Sequence, residues 1–390
     1  MHTGTSITLV HSSRLARQTA ERLIGSRAAL QRTPALVGFD GFIDHIYYAV
    51  EKRNSPTEFH RMQSLKSFGK FVSEAAGKSA NVELILQETR LGGNGPIMAF
   101  ALSSLGVPVT FIGMIGHPKI HPIFTEFAKR ASVLGIAEPA ETHAIEFLDG
   151  KLMLGKLTTV NDVTYDTIKK RVGESHWKKL WEAARFVAMV NWTMLPFMTV
   201  IWKKIQNDFT PHSQKKNHAQ SHKTLSQRKL MFFDLSDPAK RTEQDVTTAL
   251  ETISKFQDFY DVVLGLNESE GLQVARVLGV STNGKGEKLI SRLASRIREH
   301  LRINCCVIHP IEYAVAANET ETVAVAGPYT KNPKISTGAG DHFNAGFCIG
   351  RLLGCDLAQS LQLGVATSGY YVRQASSPSR EQLVRFLQTL

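Results

Sequence analysis

Apolar and polar positions along the chain follow two rhythms. Short, nearly continuous apolar runs occur at Ala35–Phe39, Thr110–Ile115, Phe186–Asn191, Leu230–Leu235, Asp261–Leu266, Cys305–His309 and Thr322–Ala326. They have the length of buried strands. Helical patterns fill most of the gaps, at Glu58–Ala76, Pro96–Leu105, His121–Leu134, Glu243–Phe256, Gly286–His300, Asp341–Leu353 and Ser379–Leu390. Continuous apolar strands separated by helices predict an α/β fold, a mostly parallel, doubly wound sheet flanked by helices. Two regions break this rhythm, between Asp40 and Gly92 and from His143 to Thr159. Alternating segments there (Ile46–Val50, Val82–Gln87 and Ala144–Leu157) read as half-exposed antiparallel strands of a small second sheet lying over the main one.

The ends and the middle add detail. Ala16, Ala20, Leu23, Ile24 and Ala28 fall on one helical face, with Ser12 or Ser13 placed as cap. This predicts a docked N-terminal helix in preference to a transit peptide, although the first 33 residues carry five Arg and a single acid, Glu21. The stretch from Phe209 to Lys229 is polar and reads as a long surface loop. Its His212, His218 and His222 lack the spacing of metal ligands.

Composition narrows the function classes. At 390 residues and 43% hydrophobic the chain can bury a large core, and no run approaches membrane-helix length. A soluble protein follows. Cys305, Cys306, Cys348 and Cys355 show no C-x-x-C spacing, so they read as buried thiols of a cytoplasmic protein. The net charge of +11 suits an anionic ligand, but the basic residues are scattered, which argues against nucleic acid as partner.

Four segments carry chemistry, each just beyond a strand end or at a helix start. In Ser336–Phe347, small residues Gly338, Ala339 and Gly340 lead into a helix and leave its first N–H groups open to an anion. Asp341 follows in the first turn, beside any phosphate bound there, where it could take a proton from an attacking hydroxyl or simply cap the helix. Gly92-Gly93-Asn94-Gly95-Pro96 opens another helix; its glycines permit close approach and Asn94 offers both donor and acceptor to hydroxyls. Asp40 and Asp44 leave the first strand where a ligand's hydroxyls could be held, or where one of them caps a turn. Asn267 and Glu270, after the strand ending at Leu266, suit hydrated Mg²⁺ or a plain capped helix start.

Taken together and in this order, these segments resemble the ribokinase-like (pfkB) carbohydrate kinases from about Ala35 to the C-terminus, with Gly338–Phe347 the most specific part. The resemblance implies a kinase domain over 35–390 behind an N-terminal helical extension, 1–34. Lid strands would come from about 45–90 and 143–159. It implies a Mg²⁺-dependent transfer of the γ-phosphate of ATP to a sugar-like alcohol, with Asp341 as base and Gly338, Ala339 and Gly340 as anion hole. Asp40, Asp44, Gly92, Gly93, Asn94 and Asn191 would contact the acceptor. Asn267, Asn344 and His309 would meet the nucleotide, and Asn267 with Glu270 the metal. Lid sheets in this family often pair between subunits, so a homodimer is one expectation. The competing reading is a catalytically silent relative that binds a nucleotide or a protein. The chain departs from the family pattern at Lys334-Ile335-Ser336, where an Asp is usual, at His309–Ala314, usually a Gly-rich turn, and at Ile97, often an Asn.

Overall fold

The computed structural model describes residues 13–210 and 228–390. The expectations for Ser12, for the loop over 211–227 and for His212, His218 and His222 lie outside the described residues. The strands in chain order are β1 (Ala35–Phe39), β2 (Phe42–Arg53), β3 (Phe59–Arg61), β4 (Leu84–Gly92), β5 (Val109–Gly113), β6 (Ser132–Gly135) and β7 (Ala140–Phe147). They continue with β8 (Gly150–Lys156), β9 (Phe186–Met189), β10 (Leu230–Asp234), β11 (Asp261–Asn267), β12 (Cys305–His309), β13 (Tyr313–Ala317) and β14 (Thr322–Ala326).

Nine of them form one sheet in the order β14-β13-β12-β11-β10-β9-β1-β5-β6. It is parallel from β12 to β6, and β13 and β14 close one edge antiparallel. Apolar side chains leave both faces. Leu36 joins one buried cluster and Val37 the other, so each strand must be apolar throughout and helices cover both sides. The result is the predicted doubly wound sheet. Its parallel strands end on one side, where ligand sites of such sheets lie.

The second sheet runs β3-β2-β7-β8, with β4 also pairing β2. β2 starts only three residues after β1 ends, so the smaller sheet grows directly out of an interior strand of the main sheet, third from its β6 edge. Here the expectation needs one correction: β2 and β7 pair parallel, whereas β2 with β4 and β7 with β8 are antiparallel. Ala49, Met62, Ile145 and Phe147 make a small core of its own, against which Leu65, Phe68 and Phe71 pack.

Two predicted helices are shorter than their patterns. Residues 59–61 of the Glu58–Ala76 pattern pair with β2, and the helix occupies only Leu65–Glu74, started by a capping box at Ser64. The His121–Leu134 pattern breaks into a 3₁₀ turn, the short helix Thr125–Ala128 and β6, which takes the free edge of β5. Sheet pairing decides both places, and local periodicity cannot see it. The N-terminal helix is Ser13–Ile24, with Ala16, Ala20 and Leu23 buried. Ile24 is 53% exposed and Ala28 lies on a second short helix, so the expected face is three residues long. Arg22 donates to the Leu353 carbonyl at 2.8 Å and Arg380 to that of Ile24 at 3.0 Å, tying this helix to the C-terminal ones. All four cysteines are free and buried. No helix among the described residues is long and apolar enough to cross a membrane.

Docking of the first helix sets a stability test. Leu23→Ala should cost about 2–5 kcal/mol in urea unfolding, as removal of a fully buried leucine does. Ile24→Ala, one residue on, should change it by less than about 0.5 kcal/mol.

Candidate active site

Asp40 leaves the end of β1 and is completely buried. Its Oδ2 accepts from the Asn94 N–H at 2.9 Å and from Asn191 Nδ2 at 2.7 Å, and its Oδ1 accepts from the Gly95 N–H at 2.8 Å. The helix Asn94–Ser104 begins at Gly93, which has no side chain to cap it and holds φ at +96°. A carboxylate 54 residues earlier therefore satisfies the N–H groups that a local cap would have taken. Burial pushes the Asp40 carboxyl up to about 6, against the pull of these three donors.

The helix Ala339–Leu352 starts at Gly338, which is left-handed at φ +87°. The Ala339 N–H turns back to the Ser336 carbonyl at 3.2 Å, whereas the N–H groups of Gly340 and Asp341 have no carbonyl four residues back within the helix. The open N–H groups of this helix start are thus those of Gly340 and Asp341, with Ala339 already engaged. Asp341 is buried and its Oδ1 accepts from Asn94 Nδ2 at 3.0 Å, so the two glycine-rich segments meet. Burial raises its carboxyl well above the ordinary range, repulsion by Asp234 and Asp40 adds to this, and the Asn94 bond opposes it.

Asp341 stands in a cleft of about 390 Å³ whose walls also include Asp44, Gly93, Asn94, Asn191, Asn267, Glu270, Gly338 and Gly340. A second cleft of about 540 Å³, formed by segments such as Pro310–Ile311, Gly327–Lys331 and Val365–Val372, shares Asn267, His309 and Gly340 with it. The open helix start at Gly340 lies at this seam. Asn267 caps its helix through a reciprocal box with Glu270: the Glu270 N–H donates to Asn267 Oδ1 at 3.0 Å and the Asn267 N–H to Glu270 Oε2 at 2.8 Å. Glu270 Oε1 accepts the Asp237 N–H at 2.8 Å. Both Glu270 oxygens are occupied, and burial with repulsion from Asp234 raises its carboxyl. His309 is held near pH 4 by burial, hence neutral, and its ring packs on Phe343 at 4.6 Å between centroids.

Asp44 enters from the lid. Its partners across β2 are Arg90 on β4 and Thr142 on β7. Burial raises its carboxyl and Arg90, the Thr142 hydroxyl and Lys151 oppose this. Gly92 faces it so closely that a Cβ there would sit 2.5 Å from Asp44 Oδ1. The lid touches the main body at Lys151, whose Nζ donates to Thr337 Oγ1 at 2.6 Å.

The structure therefore brings Asp44, Gly93, Asn94, Asn191, Asn267, Glu270, Gly338, Gly340 and Asp341 together. It places three predicted contacts behind the wall. Asp40 and Gly92 position other groups, and Asn344 donates to Asp234 Oδ2 at 3.0 Å. Asn344 thus holds a carboxylate of the cleft and lines neither cavity. Sequence reasoning missed Asp234, Ser236, Asp237 and Lys240, which follow β10 into the cleft. The available signal was Asp234 at the end of a buried parallel strand, with Ser236 and Asp237 just past Leu235. Ser236 (φ +56°), Asp237 (φ +63°) and Asn191 (φ +59°) all adopt the left-handed backbone, as site residues often do. Lys240 is the one Lys or Arg among the described residues lining the first cleft, and it pairs with Asp237 at 3.3 Å.

Comparison with known proteins follows the same lines. The family model of prokaryotic ketohexokinase matches residues 13–390. A curated ketohexokinase of Haloferax volcanii is 30% identical over 94% of this chain and 92% of its own length. Among solved structures, a ribokinase from Thermotoga maritima superposes with a TM-score of 0.59 at 16% identity, over 91% of this chain and 99% of that one. A ribokinase from Arabidopsis thaliana, solved with ribose and ATP, gives 0.57 at 15% identity, over 91% and 98%. At such identities the structural likeness establishes the fold.

The role of Asp40 can be tested without any ligand. Asp40→Ala strands three buried donors and should lower unfolding free energy by about 3 kcal/mol or more, each stranded donor costing about 1–3 kcal/mol. Asp40→Asn, which keeps an acceptor, should fall between that variant and the parent in the same chemical melt.

Proposed function

Because the chain belongs to the prokaryotic ketohexokinase family and is a ribokinase-like carbohydrate kinase, we propose that it moves the γ-phosphate of ATP to a hydroxyl of a ketohexose, with Asp341 as base. One observation carries the finer part of this reading: Asp341 sits in the same helical turn as the open N–H groups and faces Asp44 and Asn191 across one cleft. The acceptor would lie between the lid carboxylate and the base. The Oδ1 of Asn191 is buried without a partner, and an acceptor hydroxyl would supply the missing donor. Asn94, already bound to Asp341, orients the carboxylate toward that hydroxyl.

In the transfer, the acceptor oxygen forms a bond to the γ-phosphorus while the bond from that phosphorus to the β–γ bridging oxygen breaks. The hydroxyl proton passes to Asp341, and ADP departs with the bonding pair. The transition state is loose, so alignment and neutralisation of charge matter more than a strong base. The Gly340 and Asp341 N–H groups are aimed at the transferred phosphoryl group. Mg²⁺, bound to the phosphates, would draw off their negative charge. The residues present fit a hydrated ion. Among the described residues no three His, Cys, Asp or Glu side chains form a cage, and both Glu270 oxygens are taken by N–H groups. Asn267, Glu270 and Asp234 would hold its water shell. The mutual repulsion of Asp234, Glu270 and Asp341 is what a cation there relieves. Nothing in the site favours the catalytically silent relative.

The direct test is ATP consumption by the purified protein with Mg²⁺ against ketohexoses, aldohexoses, pentoses and nucleosides. Turnover highest with a ketohexose supports the reading; turnover confined to another class removes the acceptor assignment. Asp341→Asn should lower kcat at least 100-fold while nucleotide binding survives, the usual scale for a general base. Asp341 must be ionised to act and its carboxyl is raised, so kcat/KM should fall as pH drops through a value well above 4, the ordinary carboxylate range. Asp234→Asn removes a repelling charge and should move that acid limb to lower pH, whatever it does to the plateau. A limb that stays in place would separate Asp234 from the base.

A further inference from the structure

His309 ends β12 at the seam of the two clefts, and it is the residue standing where the family resemblance leads one to expect a Gly-rich turn. Its Nε2 is buried and has no hydrogen-bond partner. Buried polar nitrogens are rarely left so, and one beside an open helix N-terminus calls for a ligand atom. The ring's position is well defined. A Cβ added to Gly340 would lie 3.3 Å from His309 Cε1 and 3.9 Å from Nε2, so this edge of the imidazole rests against the anion hole itself. The other side of the ring packs on Phe343, from the first turns of the same helix. β11 flanks β12, and Asn267 pairs with His309 in register.

We propose that His309 Nε2–H donates a hydrogen bond to the β-phosphate of the nucleotide, at the oxygens that gain charge as ADP leaves. This rests on the phosphoryl-transfer reading above. Three features fix the assignment. The γ-phosphate belongs at the Gly340 and Asp341 N–H groups, the rest of the nucleotide extends into the second cleft, and His309 borders both. The β-phosphate crosses that border. No proton is transferred: the bond to the γ-phosphorus breaks, the electron pair stays on the bridging oxygen, and the His309 Nε2–H stabilises the resulting charge. His309 is then a catalytic residue that acts on the leaving group, opposite to the base that acts on the nucleophile.

The test compares His309→Phe, which keeps a ring against Phe343 and loses the donor, with His309→Gln, which keeps an N–H. His309→Phe should lower kcat about 100-fold, the scale for losing one preorganised donor, with the acceptor KM unchanged. Its affinity for ADP, read by calorimetry, should fall about 10-fold, and His309→Gln should recover part of both losses. Parent-like kcat and ADP affinity in His309→Phe would overturn the proposal and leave the ring as packing. Equal losses in both variants would also overturn it. If the parent protein phosphorylates no sugar, the functional reading fails while the ADP calorimetry still decides for or against His309: equal affinities in parent and His309→Phe reject it.

Discussion

The site depends on one buried carboxylate. Asp40 joins the end of β1, the first turn of the Asn94–Ser104 helix and the Asn191 side chain beyond β9, through three hydrogen bonds of 2.7–2.9 Å. It thereby fixes two residues that face the cleft, Asn94 and Asn191, from behind. Gly93 and Gly95 are glycines for the same reason. A Cβ on either would come within 3.0 Å of an Asp40 oxygen. A carboxylate in such a place is costly to bury, and its raised pKa records that cost. Three charge-assisted donors offset it, and the geometry they define is what the cleft inherits.

Electrostatic crowding is the second constraint. Asp234 ends β10, Glu270 lies in the first turn of the helix after β11 and Asp341 in that of the helix after β14, and all three line the cleft where the parallel strands end. Beyond burial, Asp234 raises Glu270, and both raise Asp341. The crowding that raises the Asp341 carboxyl would also draw a cation, so on the proposed function the strength of the base and the place of the metal would have a common origin.

Much of this was legible in the chain. Continuous apolar runs located seven strands of the main sheet because a strand buried on both faces has no polar alternative. The helix start in Ser336–Phe347 was legible because small residues at 338–340 let the chain turn tightly into a helical pattern. The misses have different causes. β6 and β3 owe their conformation to neighbours far off in sequence, and local periodicity there resembles a helix. Asp40 was read as a ligand contact because sequence shows which strand end a residue leaves, not which way its oxygens turn. Asn344 misled similarly: it sits one turn from the anion hole, yet its amide points at Asp234. Gly92 was read as touching a ligand, and instead it makes room for Asp44.

Asp44 and Asp341 are carried by different bodies. Asp44 belongs to the lid sheet, Asp341 to a helix of the main sheet, and the two meet through the short link after β1 and through Lys151 at Thr337. On the proposed function, the acceptor would be gripped from the smaller sheet and the phosphate from a helix start of the larger one. Two carboxylates on separately built bodies would then divide the reaction between them like the two jaws of a caliper, so a substitution in the strand that carries Asp44 could change the choice of alcohol without altering the residues of the helix start.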